Sequence, residues 1–213
     1  MKKVMSDEII PRLQKHFKTP VIIHKTVSSD ALKLEFAMNQ QIETLNHILG
    51  ESIFSYEDKP IEKIIFEKLE NSGLTVSTAE SCTGGNIAHR LTLIPGVSEC
   101  FKGSVVAYHN DVKIKALGVS SDDLMQHGAV SREVAEQMAE GVRKLTQADL
   151  AVSTTGIAGP SGGTEEKPVG RIWIAACSKE RIISRCFTFG NLSRENFIER
   201  STMAAFMILN ELI

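Results

Sequence analysis

Three stretches of this sequence bring together hydroxyls, an amine and bare glycine backbone in the order that polar bond cleavage needs. The first is Thr78-Ala79-Glu80-Ser81-Cys82-Thr83-Gly84-Gly85. It reads as a strand, a hydroxyl-rich turn and a helix entered through two glycines. Backbone N–H groups at such a helix start point outward, and the helix dipole favours negative charge there. The turn can therefore hold a phosphate, or present Ser81 as a nucleophile beside donors for an oxyanion. Glu80, Thr83, Gly84 and Gly85 share the turn and are candidate substrate contacts, the glycines because a ligand can approach bare backbone closely. The plainer alternative is that Ser81 or Thr83 merely caps the helix. Cys82 is a rival nucleophile, since a thiol at a helix N-terminus can lose its proton more easily. The residues alone favour neither.

The second stretch is Tyr108-His109-Asn110-Asp111-Val112-Lys113. A serine without a triad needs another base, and a desolvated lysine with a lowered pKa can supply one. Lys113 is the candidate base. Tyr108 can relay the proton or stack on a flat ring, His109 is an alternative base, and Asn110 is a candidate substrate contact. An exposed lysine beside a tyrosine half-buried at a sheet edge is the commoner arrangement for isolated residues.

The third runs from Thr154 to Gly170, with five glycines and two prolines in 17 residues. It cannot be a regular element. It follows an apolar strand, and ligands of open α/β sheets bind at the C-terminal ends of strands. The N–H groups of Thr155 and Gly156 are candidate oxyanion donors, and Lys167 can reach a phosphate. Loops of this length without structure are usually functional or disordered, and buried flanking strands argue against disorder. No His/Asp pairing for a triad is visible. His89 and His127 fall on predicted helices, and Asp122-Asp123 and Glu165-Glu166 read as solvated surface.

The elements that must position these residues alternate. The spacing predicts helices over Ile61–Glu70, Thr83–Leu93, Asp111–Leu117, Asp122–His127, Ser131–Thr146 and Asn191–Ile213. It predicts strands over Leu74–Ala79, Gly103–His109, Asp149–Thr155, Val169–Cys177 and Arg181–Phe189, the last two forming a hairpin. Ser131 is placed as an N-cap and Gly73 as a helix stop. The fold class expected is α/β, a three-layer α/β/α arrangement with a mixed β-sheet, preceded by a small α+β unit. The boundary is set near Glu57–Lys59, giving regions 1–58 and 59–213. The first holds only one of the 15 glycines, Gly50. It reads as a helix over residues 5–17, strands over Pro20–Val27 and Ala31–Ala37, and a helix over Gln40–Leu49, with no chemistry in view.

Composition bounds the rest. Of 213 residues, 42% are hydrophobic and 23% charged, enough apolar material for a substantial core. A net charge of −2 gives no field to attract nucleic acid. No apolar run approaches the roughly 20 residues that span a bilayer. Asp7, Glu8 and Pro11 interrupt any signal sequence, so a cytoplasmic location is expected. The four cysteines (Cys82, Cys100, Cys177, Cys186) form no CxxC and lie at no ligand spacing from histidine, so reduced thiols and no metal are expected.

Taken together, TAESCTGG (78–85), PGVSECFKGSVVAYHNDVK (95–113), LGV (117–119), HGAVSREVAEQMAEGVR (127–143) and TTGIAGPSGGTEEKPVG (154–170) resemble the C-terminal domain of the competence/damage-inducible CinA proteins, which includes the nicotinamide-nucleotide amidases. The similarity covers about residues 57–213. The resemblance implies hydrolysis of nicotinamide mononucleotide to nicotinate mononucleotide and ammonia, with no cofactor and no metal. It implies that Ser81, not Cys82, is the nucleophile, that Tyr108 and Lys113 assist it, and that Thr155 and Gly156 line the oxyanion side. It also implies a homodimer, which the apolar face of the last helix would permit. Residues 1–58 resemble the small α+β connector of full-length members. Full-length members also carry an N-terminal molybdopterin-binding-like domain, with a metal-dependent ADP-ribose pyrophosphatase activity in some relatives, and neither is expected of this sequence. Two alternatives stand beside this reading: an amidase for a related carboxamide, and a non-catalytic interaction module, against which the retained Ser81, Tyr108 and Lys113 argue.

Overall fold

The computed structural model describes residues 22–25, 32–35, 59–190 and 192–213. The chain divides into two units, residues 1–59 and 60–213. In the first, strands β1 (Ile22–Lys25) and β2 (Leu32–Glu35) pair antiparallel, Ile22 opposite Glu35 and Lys25 opposite Leu32. The helices expected over 5–17 and 40–49 lie outside the described residues.

The second unit opens with α1 (Ile61–Ser72), whose apolar positions Ile61, Ile64, Ile65 and Leu69 are buried. Gly73 ends it at φ +63°, its N–H bonded to the carbonyls of Glu70 and Leu69. There follow β3 (Val76–Glu80), α2 (Asn86–Thr92), β4 (Phe101–Val106), α3 (Asn110–Leu117), α4 (Ser121–His127), α5 (Arg132–Thr146), β5 (Leu150–Gly156), β6 (Arg171–Cys177), β7 (Ile182–Thr188) and α6 (Arg194–Asn210). The strands form one sheet in the order β4-β3-β5-β6-β7. β4, β3 and β5 run parallel, while β5, β6 and β7 pair antiparallel, so the sheet is mixed. Helices cover both faces, α5 packing on one and α6 on the other.

β3 is buried throughout, and β5 is buried from Leu150 to Thr155. The core on the α5 side is built mostly from small and branched residues, among them Ala79, Val134, Val142 and Ala151, together with the unbranched Met138. Ser131 caps α5 as its position in the sequence suggests, its Oγ accepting from the Val134 N–H. Thr75 donates from its N–H and its Oγ1 to Asp149, tying the starts of β3 and β5 together.

Two expectations change. Helix α2 starts three residues later than the sequence pattern indicates, because Gly84 (φ +63°) and Gly85 (φ +96°) hold a turn that a helix cannot include. The apolar face of the last helix is spent inside the unit, with Phe197, Ala205, Phe206, Ile208 and Leu209 buried, so that face offers nothing to a second copy. Among the described residues, no helix is long and apolar enough to cross a membrane.

Candidate active site

The parallel strands β4, β3 and β5 end on the same rim of the sheet. From β3 the chain turns outward to β4, and from β5 it turns the opposite way to β6. Adjacent parallel strands whose connections diverge leave a crevice beyond their C-terminal ends. Ser81 follows β3 at this point, and the glycine-rich loop follows β5.

Ser81 is held by its backbone. Its N–H donates to Thr154 O at 3.0 Å, and its carbonyl accepts from the Gly84 N–H at 3.1 Å. The side chain is 9% exposed. Lys113, carried by the first turn of α3, lies with its Nζ 3.2 Å from Ser81 Oγ. The same Nζ donates to Ala107 O at 2.7 Å and to Tyr108 O at 3.3 Å. Lys113 is 1% exposed, and among the described residues no carboxylate pairs with it. Burial lowers its pKa below the ordinary 10.5, against a smaller opposing pull from Cys82. Nζ donates to all three oxygens; once it loses a proton, two N–H bonds can still serve the two carbonyls while the lone pair turns to the Ser81 O–H.

Cys82 is buried, and that burial pushes its thiol up to about 12. A thiol so hard to ionise is a poor nucleophile near neutrality. His109 is exposed and spends Nδ1 as the N-cap of α3, accepting from the Asp111 N–H at 3.2 Å.

Several residues take positions other than those expected. Glu80 is fully buried and faces the helix start, not a ligand. Its Oε2 accepts from the N–H groups of Gly85 (3.0 Å) and Ile87 (3.1 Å), and its Oε1 from Ala88 (2.9 Å). The α2 terminus expected to cradle a phosphate is therefore already met by a carboxylate, which would also repel the phosphate. Thr83 is buried, its hydroxyl hydrogen-bonded to that of Thr154 at 2.7 Å. Gly84 is exposed and Gly85 half-buried, but their N–H groups serve Ser81 O and Glu80. The phenol of Tyr108 is 59% exposed and accepts from Arg194 Nη2 at 2.6 Å, so it is Tyr108's carbonyl that touches Lys113. Asn110 is exposed on the first turn of α3. Lys167 bonds the carbonyl of His127 at the end of α4, since the last carbonyls of a helix attract a cation.

Thr155 and Gly156 separate. Thr155 is buried and its Oγ1 donates to Ala129 O at 2.7 Å. The Ile157 N–H donates to Arg171 O at the start of β6. N–H direction alternates along a strand, so the Thr155 N–H also faces β6, opposite Trp173. The Gly156 N–H faces the other way, toward the chain just beyond β3, where Ser81 lies.

Sequence reasoning passed over Arg194. It is the first residue of α6, after Ser193, whose hydroxyl accepts from the Asn196 N–H. Its guanidinium spans from Tyr108 Oη to Gly159 O at 2.8 Å in the glycine-rich loop. A cation on the first turn of a helix opposes the dipole, a cost that these two hydrogen bonds offset.

Comparison with known proteins gives a consistent picture. The family model of the CinA C-terminal domain matches residues 58–213. A putative competence-damage inducible protein of Caldicellulosiruptor saccharolyticus is 39% identical over 208 residues, covering 98% of this chain and 50% of its own length. A CinA-like protein of Chloroherpeton thalassium is 49% identical over 148 residues, 70% of this chain and 35% of its own length. The chain thus spans half or less of the length of these curated relatives. The crystal structure of a competence/damage inducible protein from Agrobacterium tumefaciens matches with a TM-score of 0.70 at 40% identity, over 71% of this chain and 93% of that one. A CinA superfamily protein from Escherichia coli matches with a TM-score of 0.70 at 28% identity, over 78% and 98%.

Proposed function

The chain belongs to the CinA C-terminal domain family, and from that premise we propose that it hydrolyses the carboxamide of nicotinamide mononucleotide, releasing ammonia and nicotinate mononucleotide. The observation that carries the reading is the Lys113 Nζ, buried, without a carboxylate partner and 3.2 Å from the Ser81 Oγ.

Lys113 takes the Ser81 proton as Oγ attacks the carboxamide carbon. The resulting oxyanion is met by the Gly156 N–H, and such a donor typically contributes ~2.7–4 kcal/mol to the barrier. Nζ returns the proton to the leaving nitrogen, ammonia departs and a nicotinoyl ester remains on Ser81. Water then attacks the ester and gives its proton to the same amine, which passes it to Ser81 Oγ as the C–O bond breaks and the acid leaves. The positive pyridinium ring withdraws electrons from the amide and eases both attacks. Tyr108 offers its exposed ring to the pyridine. With the α2 terminus occupied by Glu80, the phosphate is assigned to Arg194, whose planar fork suits phosphate oxygens. The homodimer, implied by the family resemblance, and the cytoplasmic location, expected from the sequence, remain part of the proposal.

Ammonia release from nicotinamide mononucleotide by the full chain tests the reading, with Ser81→Ala as the control. Release by the wild type and none by a folded Ser81→Ala variant is expected. Equal release by both would remove Ser81 from the mechanism. Arg194→Ala should raise KM about 10-fold or more, in keeping with a charge-assisted phosphate contact. It should leave the phosphate-free riboside nearly unaffected. Equal loss on both substrates would place the phosphate elsewhere.

A further inference from the structure

We infer that Glu80 is a positioning residue for the nucleophile: its carboxylate clamps the turn that presents Ser81 and so keeps Ser81 Oγ within reach of Lys113. The inference rests on the serine–lysine reading above.

The backbone on either side of Ser81 is anchored to neighbouring strands. The Glu80 carbonyl accepts from the Ala107 N–H at 2.8 Å, just past β4, and the Ser81 N–H donates to Thr154 O in β5. Beyond Ser81 the chain leaves the sheet and passes through Gly84 (φ +63°) and Gly85 (φ +96°) before α2 begins. Two adjacent glycines make the softest backbone a chain can have. Left to itself, this turn would sample many conformations, and Ser81 Oγ would drift with it.

The Glu80 side chain removes that freedom. It folds back beneath the turn, and its two oxygens take the N–H groups of Gly85, Ile87 and Ala88. The segment from residue 80 to residue 88 is thereby closed on itself around the nucleophile. A carboxylate fits this place because it only accepts. A carboxamide would turn its NH2 toward at least one N–H and lose the contact. Glu80 is fully buried, so water cannot replace the missing bonds. The groups hydrogen-bonded to Lys113 Nζ are Ser81 Oγ and two backbone carbonyls, and among the described residues Glu80 makes no hydrogen bond or ion pair with the amine. Its action on the reaction is geometric, carried through the turn.

The test follows the reactivity of Ser81 itself. A fluorophosphonate probe reacts when Ser81 Oγ displaces fluoride from phosphorus and its proton passes to Lys113, and the labelled full chain is read by intact mass. In Glu80→Gln, the labelling rate and the kcat for ammonia release should both fall on the order of 10- to 100-fold. KM should change less than about twofold, and the pH midpoint of labelling should not move. Glu80→Asp keeps the charge on a shorter arm and should be intermediate. Glu62→Gln is the comparison, since Glu62 pairs with Arg90 at the far end of α2, away from the turn. It should lower Tm without slowing labelling. Wild-type labelling rates in both Glu80 variants, a shifted pH midpoint, or an equal slowing in Glu62→Gln would overturn the inference. If labelling slows as expected in a protein that releases no ammonia from the mononucleotide, the clamp stands and the substrate assignment fails.

Discussion

As the proposed base, Lys113 can act only when it has lost its proton, and burial favours that loss by withdrawing water from the amine. Turnover should therefore rise with pH through a midpoint below the ordinary lysine value of 10.5. Lys113→Met should lose at least about 100-fold in kcat, the lower range for a general base. The same amine leaves a mark on stability. In the unfolded chain it titrates at its ordinary value, and in the folded one at a lower value. Between the two the unfolded state binds the extra proton, so folding weakens as pH falls through that window and strengthens as pH rises toward 10.5. Lys113→Met lacks this dependence. Thermal melts from neutral pH to pH 10 should show the wild type gaining on the variant; a constant difference would mean that the amine is not depressed.

The placement of α3 decides whether Lys113 reaches Ser81, and α3 is set by its contact with α5. Gly141 sits in α5 where a Cβ would stand 2.0 Å from Leu117 O and 2.9 Å from the Leu117 Cα, at the end of α3. The obstacle is backbone, so it cannot be relieved by turning a side chain. Gly141→Ala should cost about 1–3 kcal/mol of stability, or more, by overpacking. It should also push α3 outward and reduce kcat in the fraction that remains folded. Calorimetry with active-site titration separates the two effects, and an unchanged kcat per folded molecule would show that α3 keeps its place by other contacts.

At the scale of the molecule, every residue assigned to the reaction belongs to the unit of residues 60–213. The matched portion makes up 93% and 98% of the chains of two solved relatives and 71% and 78% of this one. A fragment of residues 60–213 should fold cooperatively and keep kcat within about threefold of the full chain, a change of less than about 0.7 kcal/mol in the barrier. A fragment that folds but is inactive would show that residues 1–59 complete the site.

The sequence by itself determined the strands and helices of residues 60–213 within a few residues, because hydrophobic spacing, Ser131 and Gly73 are local signals that survive packing. It also named Ser81 and Lys113, first as residue types suited to acyl chemistry and then through a family resemblance. It could not assign the direction of each side chain, which depends on contacts between residues far apart in the chain. Glu80 and Lys167 looked like ligand contacts, yet helix termini claim both: a carboxylate at a helix start and an ammonium at a helix end satisfy backbone groups that nothing else reaches. Arg194 gave no signal until α6 brought it beside Tyr108, 86 positions away. Which hydroxyl meets the amine, and whether that amine is dry, are facts of tertiary packing, because only burial between α3 and the end of β3 sets Lys113 apart from any other lysine.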